Sequence, residues 1–111
     1  MAFCVMALMA CVAQAIPPHQ IIHANSPWCE MCGYAMEEVE GLTNSILQGP
    51  ATDQRVVDEL MANVKRGQAA SATLVNYKKG GVRFVNQVSL RPVYNDDDEL
   101  EQFMALLTEV A

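Results

Sequence analysis

Over residues 53–65 the large apolar side chains Val56, Val57, Leu60, Met61 and Val64 recur at spacings of 1, 3, 1 and 3, with Asp58, Glu59, Ala62 and Asn63 between them. That stripe predicts an amphipathic helix. Thr52 stands where a capping side chain belongs, Asp53 and Lys65-Arg66 suit the two ends of the helix dipole, and Gly67 stops it. Beyond Gly67 the pattern favours strands. Residues 70–77 and 82–92 flank Lys78-Lys79-Gly80-Gly81, which is hairpin chemistry. Asn95-Asp96-Asp97-Asp98-Glu99 forms a polar turn before a last apolar segment, 100–110. There Phe103, Met104, Leu106 and Leu107 suit a helix, while the hairpin context permits a strand; both readings stay open.

Upstream, residues 3–13 are an unbroken apolar run, read as a buried strand or core segment. A secretory leader is the competing reading, since Ala13-Gln14-Ala15 would suit cleavage. Residues 1–10, however, contain no Lys or Arg, and the run is too short to span a bilayer as a helix. Pro17-Pro18 makes a stiff turn, and residues 21–24 form a short β-type segment. Asn25-Ser26-Pro27 is a helix-start signal, so residues 28–32 form a short helix with Gly33 as its C-cap. Met36-Glu37-Glu38-Val39 begins another helical turn, closed by Gly41. A strand, several short helices, one longer helix and then strands make a single α+β domain over 1–111.

Composition narrows the function. An apolar fraction of 51% with 18% charged residues is that of a folded chain. The net charge of -6 and scattered basic residues argue against direct nucleic-acid binding. Nothing suggests a membrane partner. The four cysteines, Cys4, Cys11, Cys29 and Cys32, could form two disulfides in a secreted protein. Reduced thiols in a cytoplasmic or nuclear setting are the favoured reading. His19 and His23 would not share a helical face and are read as surface or structural; no metal site is expected.

Two stretches carry a family signature: Gly33-Tyr34-Ala35-Met36-Glu37-Glu38-Val39-Glu40-Gly41 and Leu47-Gln48-Gly49-Pro50-Ala51-Thr52-Asp53. With Ile21-Ile22, Asn76-Tyr77, Lys79, Gly81, Phe84, Asn86, Leu90 and Pro92, they resemble the light-oxygen-voltage (LOV) branch of the PAS superfamily. The resemblance runs over about residues 9–109. It implies a five-stranded antiparallel sheet, with short helices and one longer connecting helix on one face. It also implies a flavin site, FMN or riboflavin, at Gln48, Asn76, Asn86 and Asn44. Amides offer both a donor and an acceptor to the ring edge.

The resemblance further implies losses. Asn44 occupies the place of the family's photoreactive cysteine, and none of the four cysteines is expected to replace it. Ser45 and Met61 stand where two phosphate-binding arginines belong, and Leu107 where a signal-relaying glutamine belongs. The expected product is a sensory or interaction module without adduct chemistry and without enzyme activity. It would bind flavin weakly and pair with itself through the sheet face or with another signalling domain. One alternative is a flavin photoreceptor that signals by photoreduction. Another is a disulfide oxidoreductase, because Trp28-Cys29-Glu30-Met31-Cys32 resembles the thioredoxin motif. Against that, Ala72 stands where a cis-proline is required, and the chain lacks a parallel strand over residues 52–65.

Overall fold

Period-two burial governs the strands and sets the layers. The computed structural model describes residues 9–111. Chain order is β1 (Met9–Gln14), β2 (Ile21–Ala24), α1 (Ser26–Cys32), α2 (Met36–Val39), a 3-10 turn (Asn44–Leu47), α3 (Gln54–Lys65), β3 (Ala70–Tyr77), β4 (Arg83–Tyr94) and β5 (Leu100–Glu109). The strands form one five-stranded sheet in the order β2-β1-β5-β4-β3, antiparallel at every pairing. Phe84, Asn86, Val88 and Leu90 of β4 alternate onto one buried face. Phe103, Ala105 and Leu107 of β5 join them, as do Cys11 and Ala13 of β1. Residues from α1, α2 and α3 complete the core with these side chains. The α+β architecture inferred from the family resemblance is the one the chain adopts.

The open reading of residues 100–110 is settled as a strand. β5 lies between β1 and β4, and Phe103, Ala105 and Leu107 face the core while Met104 and Leu106 are half-buried on the other side. A central strand apolar on both faces loses the alternation that would have identified it. Of the apolar opening, residues 9–14 form β1, paired on both sides, whereas residues 3–8 lie outside the described ones, as does Cys4.

The long helix starts one residue later than expected, and its cap is different. Asp53 Oδ1 accepts from the Arg55 amide at 3.0 Å and is the N-cap of α3. Thr52 is occupied elsewhere. Leu60 and Val64 are buried, each worth about 1.5–3 kcal/mol. A dipole contribution from Lys65 is worth about 0.3–1 kcal/mol, so packing fixes this helix.

Helix α1 follows its signals closely. Asn25 Oδ1 accepts from both the Trp28 and Ala10 amides at 3.0 Å, so one side chain caps α1 and ties it to β1. Gly33, at φ 84°, ends it in a left-handed conformation that disfavours other residues. The 78–81 turn is held beneath α1 by the Lys79 amide donating to Cys32 O at 2.9 Å. Among the described residues, no helix is long and apolar enough to cross a membrane.

Candidate functional site

The 48–53 segment is a turn clamped onto β3. Thr52 Oγ1 donates to Val75 O at 2.6 Å and accepts from the Gly49 amide at 3.0 Å. The Ala51 amide donates to the Tyr77 hydroxyl at 3.0 Å. The Tyr77 ring lies so close to Gly49 that a Cβ there would come within 2.3 Å of it. Glycine is required at 49 by this approach. The clamp explains why the motif combines glycine, threonine and a downstream tyrosine, and it holds Gln48 at the edge of the buried face.

Above that face lies a cavity of about 210 Å³, walled by the sheet, the 3-10 turn and α3. Gln48, Asn44, Asn76 and Asn86 all line it, as do Ser45, Met61 and Leu107. The remaining wall is largely apolar, including Leu60, Leu74, Val88 and Phe103, and contains no Lys, Arg, Asp or Glu. Asn76 and Asn86 lie on the same face of neighbouring strands, since Asn76 pairs with Phe84 and Asn86 with Leu74. Asn86 Nδ2 donates to Asn76 Oδ1 at 2.9 Å. Asn86 is 0% exposed, yet its Oδ1 has no hydrogen-bond partner among the described residues. An orphaned acceptor of this kind costs about 1–3 kcal/mol, and it marks where a donor from a guest molecule could sit.

Two lining or adjacent groups escaped the sequence reading. His19 belongs to the cavity wall, its ring 5.3 Å from that of Phe103. Cys11, 1% exposed, donates its thiol to Asn44 Oδ1 at 3.4 Å. Burial pushes the Cys11 thiol up to about 12, and the Asn44 hydrogen bond only partly opposes it. Alternation with Ala13 was the available signal for Cys11. The distance to Asn44, 33 positions away, follows only from the fold.

The thioredoxin alternative is overturned. Every strand pairing is antiparallel, and Cys29 and Cys32 lie on α1 against the core. A redox-active first thiol needs a depressed pKa. Burial raises Cys29 instead, aided by the Glu37 carboxylate, and pushes Cys32 up to about 12.

Comparison with known proteins agrees with this architecture. The family model for the PAS domain matches residues 9–111. A blue-light-activated histidine kinase of Rhizobium johnstonii is 38% identical over 87 residues, covering 78% of this chain and 25% of the kinase. Phototropin-1A of Oryza sativa subsp. japonica is 32% identical over 95 residues, 86% of this chain and 10% of the phototropin. The chain therefore spans a quarter or less of these two relatives. Among solved structures, a light-oxygen-voltage domain from work on a flavin analogue superimposes with a TM-score of 0.90. It shares 26% identity, with 99% of this chain and 82% of that one covered. The light-state Aureochrome1 LOV structure gives 0.88 at 22% identity, covering 99% and 87%, which bears on the fold alone.

Proposed function

This chain belongs to the PAS domain family, and on that premise we propose that it is a LOV-like sensory and protein-interaction module whose cavity takes a flavin ring without relying on its phosphate. The observation that carries this reading is the unpartnered Asn86 Oδ1, on a buried residue that lines the same cavity as Gln48, Asn76 and Asn44. A flavin ring edge presents an N–H donor between carbonyl acceptors, which matches carboxamides that offer both kinds of group. The residues fit the ring. They do not fit the phosphate of FMN, because Ser45 and Met61 line the cavity where the resemblance expects arginines. Two missing guanidinium contacts forfeit about 1.5–3 kcal/mol each. Riboflavin, or loosely held FMN, is the ligand this favours.

Binding should also be weak because about 210 Å³ lies below the roughly 300–1,000 Å³ of ordinary ligand sites. A tricyclic ring must displace wall side chains, of which Met61 is the most adaptable. With Asn44 at the position of the family's thiol, adduct chemistry there is lost, and photoreduction by an electron donor is the response left at that position. Leu107 has no hydrogen bond to change where a relaying glutamine belongs. Output therefore passes by contact. On the outer face of the sheet Ala10 lies opposite Leu106, and Val12 opposite Met104. This apolar patch suits a second copy or another signalling domain, in a cytoplasmic or nuclear setting that keeps the thiols reduced. The module itself catalyses nothing.

The small volume favours a second reading, a contact module whose cavity holds no flavin at all. Riboflavin and FMN titrations followed by visible absorption and by the fluorescence of Trp28, the sole tryptophan, separate the two. Binding of riboflavin at least as tight as FMN is expected, and Ser45→Arg with Met61→Arg should reverse that order. A protein that leaves both flavins unperturbed would overturn the first reading in favour of the second.

A further inference from the structure

Some amide atoms of the cavity wall are already paired, and those left over define a guest by polarity and size. Asn76 Oδ1 is occupied by Asn86 Nδ2 at 2.9 Å, and Asn76 Nδ2 donates to Val75 O at 3.2 Å. Asn86 Oδ1, on a residue 0% exposed, is left as an open acceptor. Asn44 Oδ1 is held by the Cys11 thiol at 3.4 Å, so what Asn44 offers the cavity is its Nδ2 donors. Cys11 belongs to β1 and Asn86 to β4, with β5 between the two strands. Acceptor and donor therefore approach a guest from different sides. His19 Nδ1 donates to Gln14 O at 3.2 Å, which holds its ring beside Phe103 as an aromatic wall. No Lys, Arg, Asp or Glu lines the space, so a charged guest would stay unpaired there. Volume sets the number of rings. An apolar cavity of about 150 Å³ accepts benzene, and on that scale about 210 Å³ holds roughly eight or nine ring atoms, a fused bicycle.

We propose that this cavity, with every wall side chain in place, binds a neutral bicyclic heteroaromatic of the oxopurine class. A ring N–H donates to Asn86 Oδ1, and a carbonyl at the other end of the bicycle accepts from Asn44 Nδ2. Leu74, Val88 and Phe103 give the ring faces apolar contact. This goes beyond the flavin reading and does not depend on it, because a tricyclic ring needs the wall to move and a bicycle does not. A guest that fills Asn86 Oδ1 also removes the unpaired buried acceptor, so binding and folding are linked. Indole matches the volume but has no carbonyl for Asn44. A nucleoside carries a sugar on the ring nitrogen, which blocks an N–H and exceeds the space.

The test titrates the whole ligand-free chain with hypoxanthine, indole, inosine and riboflavin by calorimetry. The amide NMR signals of Val88 and Leu107, two wall residues, place the guest. Hypoxanthine should bind at submillimolar concentration, shift both signals, and bind about tenfold tighter than indole, the worth of its added hydrogen bonding. Inosine should fail to bind. Asn86→Leu and Asn44→Leu should each lower hypoxanthine affinity about tenfold and leave indole unchanged. The double variant Asn76→Leu with Asn86→Leu replaces the single one if Asn86→Leu does not fold. Hypoxanthine that binds no tighter than indole, or that is unmoved by the asparagine substitutions, overturns the proposal. Inosine bound as tightly as hypoxanthine overturns the limit to a free base. Riboflavin bound where hypoxanthine is not overturns this proposal alone, and hypoxanthine bound where riboflavin is not overturns the flavin reading alone.

Discussion

Replacing Asn76 and Asn86 together by leucine should stabilise the ligand-free protein while weakening its grip on riboflavin. The two amides are 4% and 0% exposed and share one 2.9 Å hydrogen bond. Against that bond stands the unpartnered Asn86 Oδ1. A neutral hydrogen bond contributes about 0.5–1.5 kcal/mol and an orphaned buried acceptor costs about 1–3 kcal/mol, while exchanging both partners for apolar groups of similar shape is nearly neutral or favourable. The double variant is therefore expected to gain about 1 kcal/mol. For a domain of this size that raises Tm by about 4–8 °C. The bond from Asn76 Nδ2 to Val75 O is also lost, but Val75 O keeps its partner in Thr52. Asn86→Leu alone leaves Asn76 Oδ1 without its donor and should be less stable than the double variant. The two sites should be coupled by about 0.5–3 kcal/mol. Riboflavin affinity in the double variant should fall on the order of tenfold to a hundredfold, the worth of two ligand hydrogen bonds. Urea unfolding followed by Trp28 fluorescence gives the stabilities, and riboflavin titration gives the affinities. A double variant less stable than the parent, with unchanged riboflavin affinity, would refute the reasoning. The amides would then be scaffold, with no part in holding a guest.

Gly49→Ala should destabilise the fold by about 1–3 kcal/mol, because the Tyr77 ring must shift from its place against the turn; an unchanged urea midpoint would show that the clamp is dispensable. Stability should also fall in alkali. The folded Cys11 thiol titrates near 12 against 9.0 for an unperturbed thiol, so above about pH 9 the unfolded chain binds fewer protons than the folded one. The loss should run from about pH 9 to pH 12 at up to about 1.4 kcal/mol per pH unit for this group, and Cys11→Ala should flatten the measured slope by that amount.

Some features were legible because they are local. Asn25 and Gly33 bound α1 through interactions spanning a few residues, and the spacing of Leu60 and Val64 exposed the buried side of α3. Others were misread because a local rule met a distant competitor. Thr52 looked like a cap, but Val75 O and the Gly49 amide claim its hydroxyl, leaving the role to Asp53. The 100–110 segment resisted assignment because β5 carries apolar residues on both faces, and a doubly apolar strand has no period to read.

The sequence by itself determined the α+β order, the main turns and, through its two motifs, the family. Chain position cannot reveal which side chains meet across the sheet. The resemblance had grouped Gln48, Asn44, Asn76 and Asn86, but only the tertiary structure decided how large a space they border, that His19 joins them, and that Cys11 reaches Asn44. The physical reason is register. β1 pairs with β5 and β3 with β4, so residues tens of positions apart become neighbours at hydrogen-bond distance.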